Sequence, residues 1–577
     1  MTEPENTLVK IICCQKFEAE APSFPLLVKG LKKNKISLIE VYENNKKAGV
    51  TNPFFNSPDF TNALNEEKAH LAAWHRDFLL IKTQWDKENI DYIFHKSVGS
   101  FPYMSDNLDV LVRTTDFKKA GQILTQLNYV SLRNIQEAHK EFYRKFNADK
   151  SFVPMHLHER VCWVVPYENI DHLWKNYVQA THDPIVFHPS PDDSVLILTA
   201  HCFLEDHVVK FFDILFVKKN INPNTDYEYI YRTAQEMHWA KSLHTAFIIF
   251  QHLYMQLFNE PLFPEKVIDR AWKEIEDSKW ISNKLKNDIL KRNIEMPFKI
   301  PHLWTRQHTA LRELNDPSFG NIFQRLYQIF SGLADRFIHL KLKMKNHPGC
   351  FISFSGIDGS GKSSHIKALH NAFSTCEIKS RVIWGRAGST PLISLILKFR
   401  RLFTNSKSAD KTTSPSTQQY KSPLSLWFWR KLNVLDLILF CFFKATLPKL
   451  SGKVVIADRF IYDSIIDMEA LSKTPRYNRL SYKILKWFTP TPDVALYIDV
   501  NPQEVYKRLK DQVIKEDLNK EYQAYKVILP LMNPKIYNNN TAFSQVSEQV
   551  IADTLSAFFS KYPEKYRDYK TVSFRYK

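Results

Sequence analysis

At 577 residues the chain exceeds what one hydrophobic core sustains, so two or three domains are expected. A hydrophobic content of 44% with only 13 glycines argues for folded, helix-rich protein rather than a disordered chain. The net charge of +18 is dispersed through both halves; it favours anionic partners (nucleotides, nucleic acid or an anionic membrane) without choosing among them, and most of it reads as solvated surface.

The chain starts MTEPENTLVK, with no basic n-region and no apolar h-region, so no secretory signal is read. Seven cysteines, odd in number and without a C-x-x-C pair, read as reduced cytosolic thiols with no zinc site, and a cytoplasmic protein is expected. Ile90 to Phe94, Leu108 to Val112 and Ser151 to His158 suggest a small sheet. From about Asp192 to Lys345 the pattern is mainly helical, with broad apolar faces in segments such as HWAKSLHTAFIIFQHLYMQLF.

Within this half, KSVGSFPYMSDNLDVLV places a short turn before a strand with acidic residues at its start. It resembles the nucleotidyltransferase superfamily, in which a Gly-Ser-like turn precedes Asp-x-Asp, whose carboxylates bind two Mg²⁺ ions. LILTAHCFLEDHVVKFFDILFVKK and the following TDYEYIYRTAQEMHWAKSL are similar to the helical part of a poorly characterised nucleotidyltransferase-like family, the likeness covering about Ala63 to Pro264. The implied ligands depart from the pattern. Asp109 fits the second carboxylate, Asn107 stands at the first, and MHLHER puts His156 at the third. Neither Asn nor His supplies the anionic charge that two hard Mg²⁺ ions require. Asp106 and Glu159 would point to the opposite strand face. A degenerate, noncatalytic or substrate-binding domain is therefore expected, with an active nucleotidyltransferase using Asp106 and Asp109 as an alternative. His156 and His158 share one strand face and suit a softer metal, although satisfied core or surface histidines are the plainer reading. His201 with Glu205 or His207 is read the same way.

A basic segment, KLKMKNHP from Lys341, ends at His347-Pro348 and marks a boundary. The expected layout is an α+β core over 1–190, a helical extension over 191–347 and an α/β domain over 348–577. Directly after a strand-like run, Gly356 to Ser363 completes G-x-x-x-x-G-K-S/T before a helix-like run. Gly356, Gly359 and Gly361 let backbone N–H groups turn toward phosphate oxygens. Ser360 and Ser364 line the same loop, Lys362 supplies charge to the terminal phosphates, and the Ser363 hydroxyl is a Mg²⁺ ligand. The helix that starts here adds its positive dipole end. FISFSG, RVIWG, KVVIADRF and VALYIDV read as strands separated by helix-length intervals, hence a parallel sheet covered by helices. Thr404 to Ser422, rich in Ser, Thr and Lys, reads as a surface insertion. LISLILKFRRLF, with Lys398, Arg400 and Arg401, reads as a packed helix or an interfacial one. Leu432 to Leu447 is interrupted by Asp436 and Lys444 and is too short for a bilayer span, so a buried helix is expected. Asp458-Arg459-Phe460 ends a strand beside the phosphate loop, where a carboxylate can hold a Mg²⁺-bound water or accept a proton and an arginine can fork onto an acceptor phosphate.

FSGIDGSGKSS, VVIADRFIYDS, PDVALYIDVNPQEVYKRL and FSQVSEQVIADTLSAFF resemble, in order, segments of the thymidylate kinase family of P-loop kinases, from about Cys350 to Phe559. That resemblance implies ATP and Mg²⁺ as cofactors and an acceptor-sugar contact at Asp358. It also implies an acceptor-phosphate clamp at Arg386 and an arginine near the lid at Arg508. IIDMEALSK replaces the family's thymine-reading stretch, and the lid KDQVIKEDLNKEYQ offers Lys510, Lys515 and Lys520 in place of an arginine. A lysine lacks the bidentate fork. Transfer of a phosphate to a nucleoside monophosphate or similar small acceptor is expected, with thymidylate not established. A nucleotide-gated switch at nucleic acid or membrane is the alternative, and a second copy of the chain is a further candidate partner.

Overall fold

The computed structural model describes residues 3–95, 107–132, 140–147, 152–301 apart from 164 and 182, parts of 304–336, 349–385 apart from 377, 423–470, 475–509 apart from 478, and 515–560. The chain divides into two compact units, Met1–Arg144 with Val153–Leu342 and Pro563–Lys577, and Lys145–Phe152 with Lys343–Tyr562.

β1 (Tyr92–Phe94), β2 (Leu108–Val112), β3 (Val130–Leu132), β4 (Lys140–Phe146) and β5 (Phe152–His158) form a mixed sheet in the order β1-β2-β5-β4-β3. β2 lies parallel to β5 and antiparallel to β1, so every residue of LDVLV is buried, Asp109 included. The long helix α1 (Pro58–Lys87) opens on Ser57, whose Oγ accepts from Phe60 N at 3.2 Å with Pro58 in the first turn. Its Trp74, Phe78, Ile81 and Trp85 recur at helical spacing and are buried against the sheet, with Phe78 4.7 Å from the Phe94 ring. α2 (Phe117–Gln126) adds Ala120, Ile123 and Leu124 to the same core. Further along come α3 (Pro191–Ala200), α4 (Tyr227–Glu236) and α5 (Ala240–Phe258). In α5, Ser242 through Phe250 are all buried, so the helix is central rather than one-faced.

In the second unit, β6 (Cys350–Ser355), β7 (Ser380–Trp384), β8 (Val454–Asp458), β9 (Val494–Asp499) and β10 (Lys535–Asn538) form an all-parallel sheet in the order β7-β8-β6-β9-β10. β6 and the first four residues of β8 are wholly buried, as their unbroken apolar runs require. Four strands match the sequence expectation. β10 does not announce itself, because as an edge strand it buries only Tyr537 and exposes Lys535, Ile536 and Asn538. The described helices include α6 (Lys362–Thr375), α7 (Pro423–Cys441), α8 (Ile461–Ala470), α9 (Leu480–Phe488), α10 (Pro502–Leu509), α11 (Lys515–Met532) and α12 (Phe543–Ser560). α6 and α12 pack through Phe373 and Phe558, ring centroids 5.4 Å apart.

Across 432–447 the expected buried helix is one-sided. Val434, Leu437 and Cys441 are buried, whereas Leu435, Phe442, Phe443 and Leu447 are exposed. Asp436 is buried with the first set. No helix among the described residues is long and apolar enough to cross a membrane. Asp106, Lys341 to His347, Arg386, LISLILKFRRLF, Thr404 to Ser422 and Lys510 lie outside the described residues.

Candidate functional site

All five strands of the second sheet run the same way, so the carboxyl ends of β6, β8, β9 and β10 share one edge. The chain leaves β6 at that edge through Gly356, at φ +147°, and reaches α6 through Gly361, at φ +93°. A Cβ on Gly356 would lie 2.7 Å from Ile498 O, and one on Gly361 2.8 Å from Asn539 Nδ2. Both backbone conformations disfavour any residue with a side chain. Gly361→Ala is expected to destabilise the second unit by about 1–2 kcal/mol, the cost of one strained residue, with a displaced Asn539 besides; chemical denaturation checks this.

Lys362 is buried, and its Nζ donates to Gly356 O and Ile357 O at 2.8 Å each, with Ser360 Oγ at 3.4 Å. Burial, and secondarily the nearby Arg459, pushes its ammonium down to about 8 from the ordinary 10.5. The fold disfavours the charged form. The ligand-free unit therefore carries the full cost below about pH 8, and the cost is relieved as pH rises toward 10.5. Thermal stability of wild type relative to Lys362→Met is expected to rise across that window; a flat difference in scanning fluorimetry would contradict it.

Ser363, one residue on, donates its Oγ to Asp458 Oδ2 at 2.9 Å. Asp458 is the last residue of β8, the strand beside β6, and a hydroxyl–carboxylate pair at this edge is an oxygen donor set suited to a hard cation. Ser364 is exposed in the first turn of α6.

Arg459 follows at φ +70° with its side chain 3% exposed. Its guanidinium contacts Asp358 of the glycine loop, Glu521 Oε1 and Tyr525 OH at 3.4 Å each, and Asp463 Oδ1 at 3.7 Å. Asp463 is itself fully engaged, accepting from Ser355 Oγ at 2.7 Å, Phe460 N at 2.9 Å and Tyr525 OH at 2.6 Å. Glu521 also accepts from Asp358 N at 3.3 Å, and burial raises its carboxyl above the usual range despite Arg459. α11 thus ties into the glycine loop directly through Glu521 and indirectly through Arg459, which contacts Asp358. Arg508 donates to Asn539 O at 3.3 Å, and Asn539 Nδ2 donates to Ser360 O at 2.8 Å, so Arg508 reaches the loop through Asn539. The structure therefore gathers Asp358, Lys362, Ser363, Asp458, Arg459 and, at one remove, Arg508. It adds Asp463, Glu521, Tyr525 and Asn539, which sequence reasoning missed. Of these only Asp463, four residues after Arg459 on the next helix, had a local signal.

The segment IIDMEALSK carries a second charged knot. Glu469 is fully buried and accepts from Tyr482 OH at 2.6 Å, Arg476 N at 2.8 Å and Arg479 Nε at 2.9 Å, with Arg430 Nη2 at 3.4 Å. Lys520, from the lid segment, is exposed beside Asp517 at 3.9 Å.

In the first sheet, β2 and β5 pair Asp109 with His156. Asp109 Oδ1 lies 2.9 Å from His158 Nε2 and 3.2 Å from His156 Nδ1, and Asn107 Nδ2 donates to Asp109 Oδ2 at 2.9 Å. His201 Nδ1 meets Glu205 Oε2 at 2.7 Å, and Glu205 also takes Lys140 Nζ and Tyr167 OH at 3.2 Å each, an ordinary satisfied network. His207 Nδ1 pairs with Thr305 Oγ1 at 2.7 Å. Elsewhere Tyr229 OH meets Asp193 Oδ1 at 2.6 Å, His172 Nδ1 at 2.7 Å and Glu168 Oε1 at 3.0 Å.

A family model described as "Uncharacterised nucleotidyltransferase" matches residues 104–255. Among curated proteins, the thymidylate kinase of Ligilactobacillus salivarius is 28% identical over 224 residues, 36% of this chain and 96% of that protein. The thymidylate kinase of Mycoplasmoides gallisepticum is 29% identical over 219 residues, 35% of this chain and 92% of that protein. That of Verminephrobacter eiseniae is 28% identical over 172 residues, 28% of this chain and 67% of that protein. The chain thus carries a nucleotidyltransferase-like domain and, over about a third of its length, is similar to kinases of the thymidylate kinase type.

Proposed function

We propose that this protein is an ATP-dependent phosphotransferase that moves the γ-phosphate to a nucleoside monophosphate or similar small phosphorylated acceptor, with its active site in residues 348–577. In this layout the nucleotidyltransferase-like core occupies 1–190 and a helical extension 191–347. The observation that carries the reading is a buried Lys362 inside a glycine loop, next to a Ser363 hydroxyl held 2.9 Å from Asp458 at the carboxyl edge of a parallel sheet.

The residues fit a Mg²⁺-bound triphosphate. Lys362, folded back on two carbonyls with its charge disfavoured, gains from an anion, and Ser363 with Asp458 offers hard oxygen donors. Mg²⁺ would be held by Ser363 and by Asp458 through water, and when bound it supplies charge neutralisation to the phosphates. Lys362 and the loop amides hold the transferring phosphate. Asp458 also stands where it can accept the acceptor's proton. On this reading Asp358 and Arg386, the latter outside the described residues, serve the acceptor, and Arg459, its guanidinium held by Asp358, Asp463, Glu521 and Tyr525, orders that side of the site. Such catalysis is positioning and charge stabilisation, without a covalent enzyme intermediate. Closure of a lid over 510–520, as the resemblance implies, would exclude water.

ADP release from the full-length protein, measured against a panel of nucleoside monophosphates and phosphosugars, tests the reading. Release that depends on one acceptor class supports it. Slow hydrolysis that no acceptor stimulates would overturn it.

A further inference from the structure

The first sheet gathers a donor set that the phosphotransfer site does not use. His95 directly follows β1 and donates its backbone N–H to Asp109 O at 3.2 Å, Asp109 sits in β2, and His158 closes β5. Three adjacent strands therefore bring two imidazoles and one carboxylate to one place. One ligating atom from each of His95, Asp109 and His158 lies within 4.8 Å of the other two, and all three residues are buried. The His95 and His158 rings meet edge to face at 4.2 Å, and His158 Nε2 is 2.9 Å from Asp109 Oδ1. A tetrahedral ion with bonds of about 2.0 Å has ligand-to-ligand edges of about 3.3 Å, so small side-chain adjustments would close this set around one ion.

The chemistry of the set selects the ion. Two neutral nitrogens and one carboxylate match the two-histidine, one-carboxylate ligation of open zinc centres, whereas Mg²⁺ prefers oxygen donors. The surroundings also resemble those of a built site. Asn107 Nδ2 donates to the second carboxylate oxygen at 2.9 Å, and His156 Nδ1 flanks the first at 3.2 Å, so the carboxylate is oriented from both sides. A second compact donor group among the described residues, Glu168, His172 and Asp193, has the Tyr229 hydroxyl bonded to all three members and is a closed hydrogen-bond knot.

We propose that the first unit binds one divalent first-row transition-metal ion of the Zn²⁺ type through His95, Asp109 and His158, with Asn107 and His156 as positioning residues. The hydrogen bond between His158 Nε2 and Asp109 gives way to two metal bonds, and the ring proton moves to His158 Nδ1, so the imidazole stays neutral.

The test uses the full chain stripped with a chelator, then titrated with Zn²⁺ against a chromophoric competitor and with Co²⁺ by visible absorption. One Zn²⁺ per chain is expected, with a Co²⁺ spectrum of low coordination number. His95→Ala and His158→Ala should each weaken Zn²⁺ at least about 100-fold, and Asn107→Ala about tenfold. Glu168→Gln should leave Zn²⁺ binding unchanged. If an alanine variant loses its far-UV circular dichroism, His158→Gln replaces it. Wild type that binds Zn²⁺ no more tightly than folded His95→Ala and His158→Gln would overturn the proposal, as would Mg²⁺ displacing Zn²⁺ at equal concentration.

Discussion

Lys362→Ala is expected to lower acceptor-dependent ADP release by about 10³-fold, the effect of deleting a preorganised charge aimed at a transferring group. The side chain is buried, and its Nζ bonds lie within the loop itself, to Gly356 O, Ile357 O and Ser360 Oγ. Its removal therefore leaves the neighbouring strands and helices in place. Circular dichroism should be unchanged, and ATP affinity should fall together with the rate. Because burial holds the ammonium down at about 8, ATP binding by wild type should also take up protons near that pH, as the incoming anion restores the charged form. Calorimetry in buffers of different ionisation enthalpy reads that uptake, and Lys362→Ala should abolish it. Full activity in the variant would sink the assignment.

Asp463→Ala is expected to destabilise the second unit by about 3–5 kcal/mol, because it strips a partner from a buried guanidinium. The same carboxylate takes the Ser355 hydroxyl, the Phe460 amide and the Tyr525 hydroxyl, so one substitution orphans groups on β6, α11 and the turn after β8. Asp463→Asn keeps the shape and loses the charge, and should fall between wild type and the alanine variant. The relevant thermal transition is the one that ATP is expected to shift upward. A loss below about 0.5 kcal/mol, the ordinary scale of a surface change, would contradict this account of the site.

What the sequence made legible was local. The glycine loop and Lys362 are contiguous, and the strands that frame them carry unbroken apolar runs, so FISFSG and VVIAD declare themselves. Glu521 and Tyr525 are invisible by the same logic, since they reach Arg459 across 62 and 66 residues. Arg459 reads from its motif as a fork for phosphate, yet its guanidinium is enclosed by Asp358, Asp463 and Glu521, a setting that depends on tertiary approach. The first sheet gives the same lesson. Asp109, Asn107 and His156 are recognisable along the strands, but His95 joins them only through the pairing of β1 with β2.

The Tyr229 knot alters the proton inventory of the molecule. A phenol has one proton to give, and here two carboxylate oxygens converge on it at 2.6 and 3.0 Å, beside an imidazole nitrogen at 2.7 Å. If Asp193 receives that proton at the shorter distance, Glu168 must bring its own. Burial, and next the neighbouring Asp193, raises the Glu168 carboxyl well above its usual range, consistent with that assignment. The formal charge of +18 counts Glu168 as an anion. Burial of the knot therefore favours the neutral acid at Glu168 over the anion that the formal count assumes.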